Sequence, residues 1–272
     1  MIIISISELI RKIHPVDKDN SLKMALDYML DNNLSCLPVT EEGEVIGIID
    51  LKSILSKILS ERIRLISLSN LYVSSVMNPI PEKLSLKSSI NDAVSKLLKH
   101  NVYGLPVIDE NRNYIGMISD EDLIKPLINE NSKLNMLSIS DINVEPNERI
   151  LHIRMLILKN NLQVIPVVIN EKPIGLIMDR NVLKILKTFY ERTPAKYRRA
   201  RIRSLTASHA MIQPPPVILK EASIGEAVEI ILRNGLRGLI LIDYLNRFSG
   251  SIQLRSLLNF IVKFKGEFDV NN

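Results

Sequence analysis

Few residues in this sequence are spaced for catalysis. Four histidines, His14, His100, His152 and His209, lie far apart with no Cys or His partner at metal-ligand spacing, so no zinc site is expected. No nucleophile stands beside a base and no Gly-x-Ser-x-Gly turn occurs, so acyl transfer has no support and the chain is not read as an enzyme. Cys36 is the one cysteine; it excludes an internal disulfide and reads as a buried, inert thiol beside a strand.

Two features remain. Ser119 is followed three residues later by Asp122, the spacing of a helix capping box. The stretch from Arg192 to Arg203 carries Arg192, Lys196, Arg198, Arg199, Arg201 and Arg203, with Tyr197 its one aromatic. Such a run makes either a solvated basic face or a contact for an acidic protein or nucleic acid. The nucleic-acid candidates are Arg198, Arg199, Arg201 and Arg203.

The surrounding elements have ample apolar material. Of 272 residues, 46% are hydrophobic and 24% charged, a globular rather than disordered balance. The absence of Trp and the wealth of Ile, Leu and Val suit short strands covered by helices. A net charge of +5 points to an anionic partner. No apolar run approaches bilayer length, so no membrane partner is expected. The start, Met1 to Ile6, is a short apolar run soon followed by Glu8, Arg11 and Lys12, unlike a secretory signal. A cytoplasmic protein is expected.

Internal repetition organises the sequence. Amphipathic helices are predicted to begin at Ser21, Ser89, Arg149 and Ser223; in the second, Ile90, Ala93, Val94, Leu97 and Leu98 form one stripe. Arg154 breaks the stripe of the third. Each helix leads to a strand centred on Pro38, Pro106, Pro166 or Ile240, always 17 residues from the helix start. A turn and a second strand follow, through Gly47, Gly116, Gly175 or Gly250, 9 or 10 residues after the strand centre. A second helix closes the unit, clearest in Leu51, Ile54, Leu55, Ile58 and Leu59.

This helix–strand–turn–strand–helix unit with a leading strand resembles the CBS domain, whose repeats pair into Bateman modules. The resemblance covers nearly the whole chain, and Gly104–Asp109 and Gly116–Asp122 carry it most strongly. It implies an α/β fold of four repeats, at 1–62, 63–130, 131–190 and 191–272, the last with a basic connector at 191–213. Modules of 1–130 and 131–272 follow, since one unit alone leaves a sheet face uncovered.

The resemblance also implies a regulatory adenine-nucleotide ligand: AMP, ADP or ATP, with S-adenosylmethionine as an adenosyl relative. In a Gly-x-x-Ser/Thr-x-x-Asp motif the acid takes the ribose hydroxyls, while the hydroxyl and helix start hold phosphate. Only the second repeat has the full set, Gly116, Ser119 and Asp122. By the same likeness Val102, Tyr103 and Gly104, before Pro106, would meet the adenine edge, and Ile80 would cover its ring. Lys52 of the first repeat would approach the phosphates. The other repeats depart from the pattern, with Asp50 and Ser53, Met178 and Asn181, and Gln253 and Ser256 at the two positions. The implied partner is a separate effector protein, and a homodimer is compatible with this architecture. The second reading is a nucleic-acid-associated regulator built on the basic connector, with the repeats as scaffold.

Overall fold

The computed structural model describes residues 5–58, 66–79 and 82–264. Four antiparallel hairpins form where expected: Cys36–Glu41 with Glu44–Asp50, Gly104–Ile108 with Tyr114–Ser119, Val164–Ile169 with Lys172–Met178, and Gly238–Ile242 with Phe248–Gln253. Pro38, Pro106, Pro166 and Ile240 face Ile48, Met117, Leu176 and Ser251, in each case the residue after the recurring glycine. The four repeats are therefore in one register.

A leading strand joins each hairpin in parallel, pairing Val16 with Val39, Leu84 with Val107, Val144 with Val167 and Val217 with Ile240. The opposite edge is filled by chain that precedes the other repeat of the pair. Asn78–Pro79 pairs with Gly47 and Ile48, and Arg11 bridges to Met117. Ile139–Ser140 pairs with Ser251 and Ile252, and Ile212 bridges to Leu176. Repeats one and two thus exchange edges, as do three and four, by a two-residue strand in repeats one and four and by a single bridge in repeats two and three, which shortens the exposed edges.

The recurring glycines belong to this exchange. A Cβ at Gly47 would lie 2.9 Å from the Asn78 carbonyl oxygen, and one at Gly116 would lie 2.7 Å from that of Arg11. At Gly175 it would meet Met211 Sδ at 2.7 Å. At Gly250 it would meet Ile139, and a φ of +119° adds backbone strain for any other residue. The glycine of the motif makes room for the crossing segment, its backbone at Gly47 and Gly116 and chiefly its side chains at Gly175 and Gly250.

The helices follow their patterns. Ile90–His100 buries Ile90, Ala93, Val94 and Leu97 and starts at Ser89, whose side chain accepts from the Asp92 N–H. Each large aliphatic side chain buried this way contributes about 1.5–3 kcal/mol against exposure. Ile150–Asn160 forms despite Arg154, which is part-buried; Ile150, Ile153 and Ile157 supply its core face. The chain divides into two compact units, one holding the described residues up to Pro126 and from Leu258 onward, the other Leu127–Leu257. Among the described residues, no helix is long and apolar enough to cross a membrane.

Candidate functional site

The second helix of repeat two is one turn, Asp120–Leu123, and Ser119 is its N-cap. Asp122 Oδ2 accepts from the Ser119 N–H at 3.0 Å and from the Ser119 hydroxyl at 2.6 Å, while its other oxygen accepts from Lys125 Nζ at 2.8 Å. The Asp122 side chain is only 3% exposed. The capping reading of this pair is therefore realised. Lys125 was not foreseen, although its i+3 spacing from Asp122 was open to view.

The other repeats use the same two positions for local structure as well. In repeat one the order is reversed: Asp50 Oδ1 accepts from the Ser53 N–H at 2.7 Å, and Ser53 Oγ accepts from the Asp50 N–H at 3.1 Å. In repeat three Asn181 Oδ1 accepts from the Met178 N–H at 3.1 Å. In repeat four Gln253 reaches across the pair, its Oε1 accepting from the N–H groups of Gln163 and Val164 at 2.8 and 2.9 Å. Ser256 donates to the Ser138 carbonyl at 2.8 Å. Every repeat thus places at least one hydrogen-bonding side chain at these two positions and uses it within the protein. What sets repeat two apart is the order, a hydroxyl first and a carboxylate three residues later.

Around that pair, the Tyr103 carbonyl accepts from the Asp120 N–H at 2.9 Å, and the Tyr103 N–H stabilises the Asp50 carboxylate of repeat one. Both backbone groups of Tyr103 are committed within the protein. The Val102 N–H bonds the Leu97 carbonyl at 3.2 Å, whereas the Val102 carbonyl accepts no hydrogen bond among the described residues. Gly104 opens the strand against repeat one: a Cβ there would collide with Cys36 Sγ. Pro106 sits two residues further along. Lys52 lies in the first turn of Leu51–Lys57, near enough for its charge to act on Asp50. Ile80 lies outside the described residues.

Charge gives this region its character. Asp50 and Asp120 are each 1% exposed, and their charges, with that of Glu121, bear on buried Cys36. Burial, with these carboxylates, pushes the Cys36 thiol well above its ordinary range, the inert behaviour expected of it. Burial likewise raises Asp50, opposed by its bonds from Ser53. The other unit buries cations as well: Arg237, fully buried, places Nε 3.4 Å from Asp179 Oδ2, and Arg180, next to Asp179 in sequence, is 7% exposed.

The basic connector divides. Arg198 is 8% exposed, donating from Nε to the Thr193 carbonyl at 3.0 Å and from Nη2 to the Tyr190 carbonyl at 2.9 Å, with its guanidinium over the Tyr190 ring. It caps the C-terminus of Asp179–Arg192 and is removed from the nucleic-acid candidates, because a run of like residues hides which one turns inward. Arg199, Arg201 and Arg203 are exposed, as are Arg192 and Lys196.

Four hairpins, paired two by two through exchanged edges, define a tandem-repeat α/β class. The chain matches the CBS domain four times, at residues 5–60, 73–129, 137–188 and 207–263, and it belongs to that family. It is similar to the protein MJ1225 of Methanocaldococcus jannaschii, with 23% identity covering 92% of this chain and 95% of that one. The crystal structure of MJ1225, proposed as an archaeal homolog of g-AMPK, superposes with a TM-score of 0.80 at 20% identity, covering 94% and 99%. An uncharacterized conserved protein of Pyrococcus horikoshii gives 0.63 at 14% identity over the same shares. A homoserine O-acetyltransferase of Methanosalsum zhilinae is 28% identical over 46% of this chain but only 24% of that enzyme.

Proposed function

We propose that this chain is a ligand-sensing regulator that binds an adenosyl ligand in repeat two, performs no chemistry on it and acts on a separate effector protein. The observation that carries this reading is the Ser119–Asp122 pair, in which hydroxyl precedes carboxylate at the two motif positions, an order found in no other repeat. A carboxylate has about four acceptor sites, so Asp122 can add one ribose hydroxyl to its two Ser119 bonds and its Lys125 bond. The open Val102 carbonyl suits the adenine amino group, which donates; Tyr103 contributes position rather than hydrogen bonds. Gly104 and Pro106 shape the same strand, and Lys52 supplies the nearby cation. The homology proposed for MJ1225 supports an adenylate ligand.

The carboxylates Asp50, Asp120 and Glu121 order the ligands, since each added phosphate meets more repulsion in a partly buried site. AMP is expected to bind more tightly than ADP and ADP more tightly than ATP, while S-adenosylmethionine, with its sulfonium cation, should equal or exceed ATP. Calorimetric titration of the four ligands tests this. Asp122→Asn, which keeps a capping oxygen, should lose at least about tenfold in affinity, the equivalent of one charge-assisted hydrogen bond. Lys87→Ala, in a pair more than four-fifths exposed, should change nothing. Equal affinity for Asp122→Asn and the parent would leave the pair as a cap alone.

A further inference from the structure

The positive charge of this chain is concentrated in one unit. Leu127–Leu257 holds 19 Lys and Arg against 11 Asp and Glu, a net +8, so the remainder carries −3 of the total +5. Within that unit the residues from Arg192 to Arg203 contain six cations and no acid. Their arrangement follows the helical period. Arg198 and Ile202, i and i+4, turn inward and are 8% exposed each. Lys196, Arg199 and Arg203, at i, i+3 and i+7, share the outward face of Ala195–Arg201 and the turn after it. Tyr197 stands beside them, 44% exposed, with Lys196 Nζ 4.8 Å and the Arg201 guanidinium 5.2 Å from its ring centroid. Among the described residues, none of Lys196, Arg199, Arg201 and Arg203 has a salt-bridge partner.

We propose that this outward face binds a single strand of nucleic acid, with Lys196, Arg199, Arg201 and Arg203 on successive phosphates and Tyr197 as a stacking platform for one base. Arginine dominates the face, and its guanidinium fork matches phosphate oxygens. An acidic peptide would use the same cations but gains nothing specific from an exposed ring, whereas an unpaired base presents a π-face to it. A duplex keeps its bases stacked inside and gains no platform either. The buried Arg198 holds the short helix against Tyr190 and so fixes the face without contacting the strand.

Fluorescence anisotropy of the full chain with a labelled fifteen-nucleotide oligouridylate tests this. Four neutralised phosphates at a slope of about −0.7 each predict a roughly 50-fold loss of affinity between 50 and 200 mM salt. Tyr197→Ala should weaken binding about fivefold or more at both salts and leave the salt slope unchanged. The combined Lys196→Gln, Arg199→Gln, Arg201→Gln and Arg203→Gln variant, with Arg198 kept, should bind nothing while its circular-dichroism melt matches the parent. No binding by the parent at 50 mM salt overturns the proposal. So does an unaltered affinity in Tyr197→Ala, or equal binding of a duplex or a polyglutamate of the same length.

Discussion

The buried ion pair of Arg237 and Asp179 gives a quantitative test of how the second unit is held. Both side chains have no exposed surface, and Arg237 Nε lies 3.4 Å from Asp179 Oδ2. Asp179 also accepts from the Arg180 N–H at 2.7 Å, so its carboxylate keeps a helix-start contact when the arginine is removed. That single bond cannot balance a full charge in the interior. Arg237→Met is therefore expected to cost about 3–5 kcal/mol, as is Asp179→Asn, each removing the opposite charge from a buried one. The double variant buries no charge at this pair and should cost at least about 2 kcal/mol less than the sum of the single losses. With a urea slope of about 2 kcal/mol per molar, each single variant should shift the midpoint of its unfolding transition down by roughly 2 M. Urea unfolding followed by circular dichroism, with all four proteins in one cycle, measures this directly. Additive losses, with a coupling below about 0.5 kcal/mol, would refute the view that these residues compensate one another.

Gly116→Val should destabilise the first unit by about 1–3 kcal/mol or more, because its side chain meets the Arg11 carbonyl and Ile10; thermal melting reads the loss, and an unchanged melt would deny the crossing segment its close approach. Arg198→Ala should cost about 1.5–3 kcal/mol through two lost helix-end hydrogen bonds and the Tyr190 contact, whereas Arg199→Ala should stay within about 0.5 kcal/mol in the same melts. Burial raises the folded pKa of Asp50, so the folded state holds more protons there than the unfolded chain. The stability from this group is greatest below the ordinary carboxylate range and is lost as pH rises through the raised value. Asp50→Asn should remove that fall, so the difference in melting temperature between variant and parent should grow from acid towards neutral pH; a flat difference would contradict it.

The pattern of apolar residues revealed the repeat because both the helix stripe and the strand centre recur at a fixed distance. Pro38, Pro106 and Pro166 mark equivalent positions at sight. The exchanged edges were not legible, since Arg11 and Ile212 contribute single bridges without a strand pattern of their own. Their one trace in the sequence is the glycine that each crossing requires, and that glycine equally resembles part of a ligand motif. At the candidate site, Ser119 and Asp122 could be read directly, but the claim of Asp50 on the Tyr103 N–H depends on pairing across repeats that lie far apart in sequence. Arg198 was misread for a related reason: burial of one arginine among several is decided by helical phase relative to Tyr190.

The exchanged edges also impose an order on synthesis. The hairpin of repeat one is complete at Asp50, yet the strand that closes its edge, Asn78–Pro79, leaves the ribosome 28 residues later. At about 5–20 residues per second the open edge would wait roughly 1–6 s. Repeat two meets the opposite situation, for Arg11 is made long before Met117 and must be kept for it. The nascent chain therefore carries one unfilled edge and one unplaced segment at the same time; the edge can close once Asn78–Pro79 emerges, and the segment finds its place only with the second hairpin. The pair, rather than the repeat, is the smallest portion of this chain that a ribosome can release with its sheets closed.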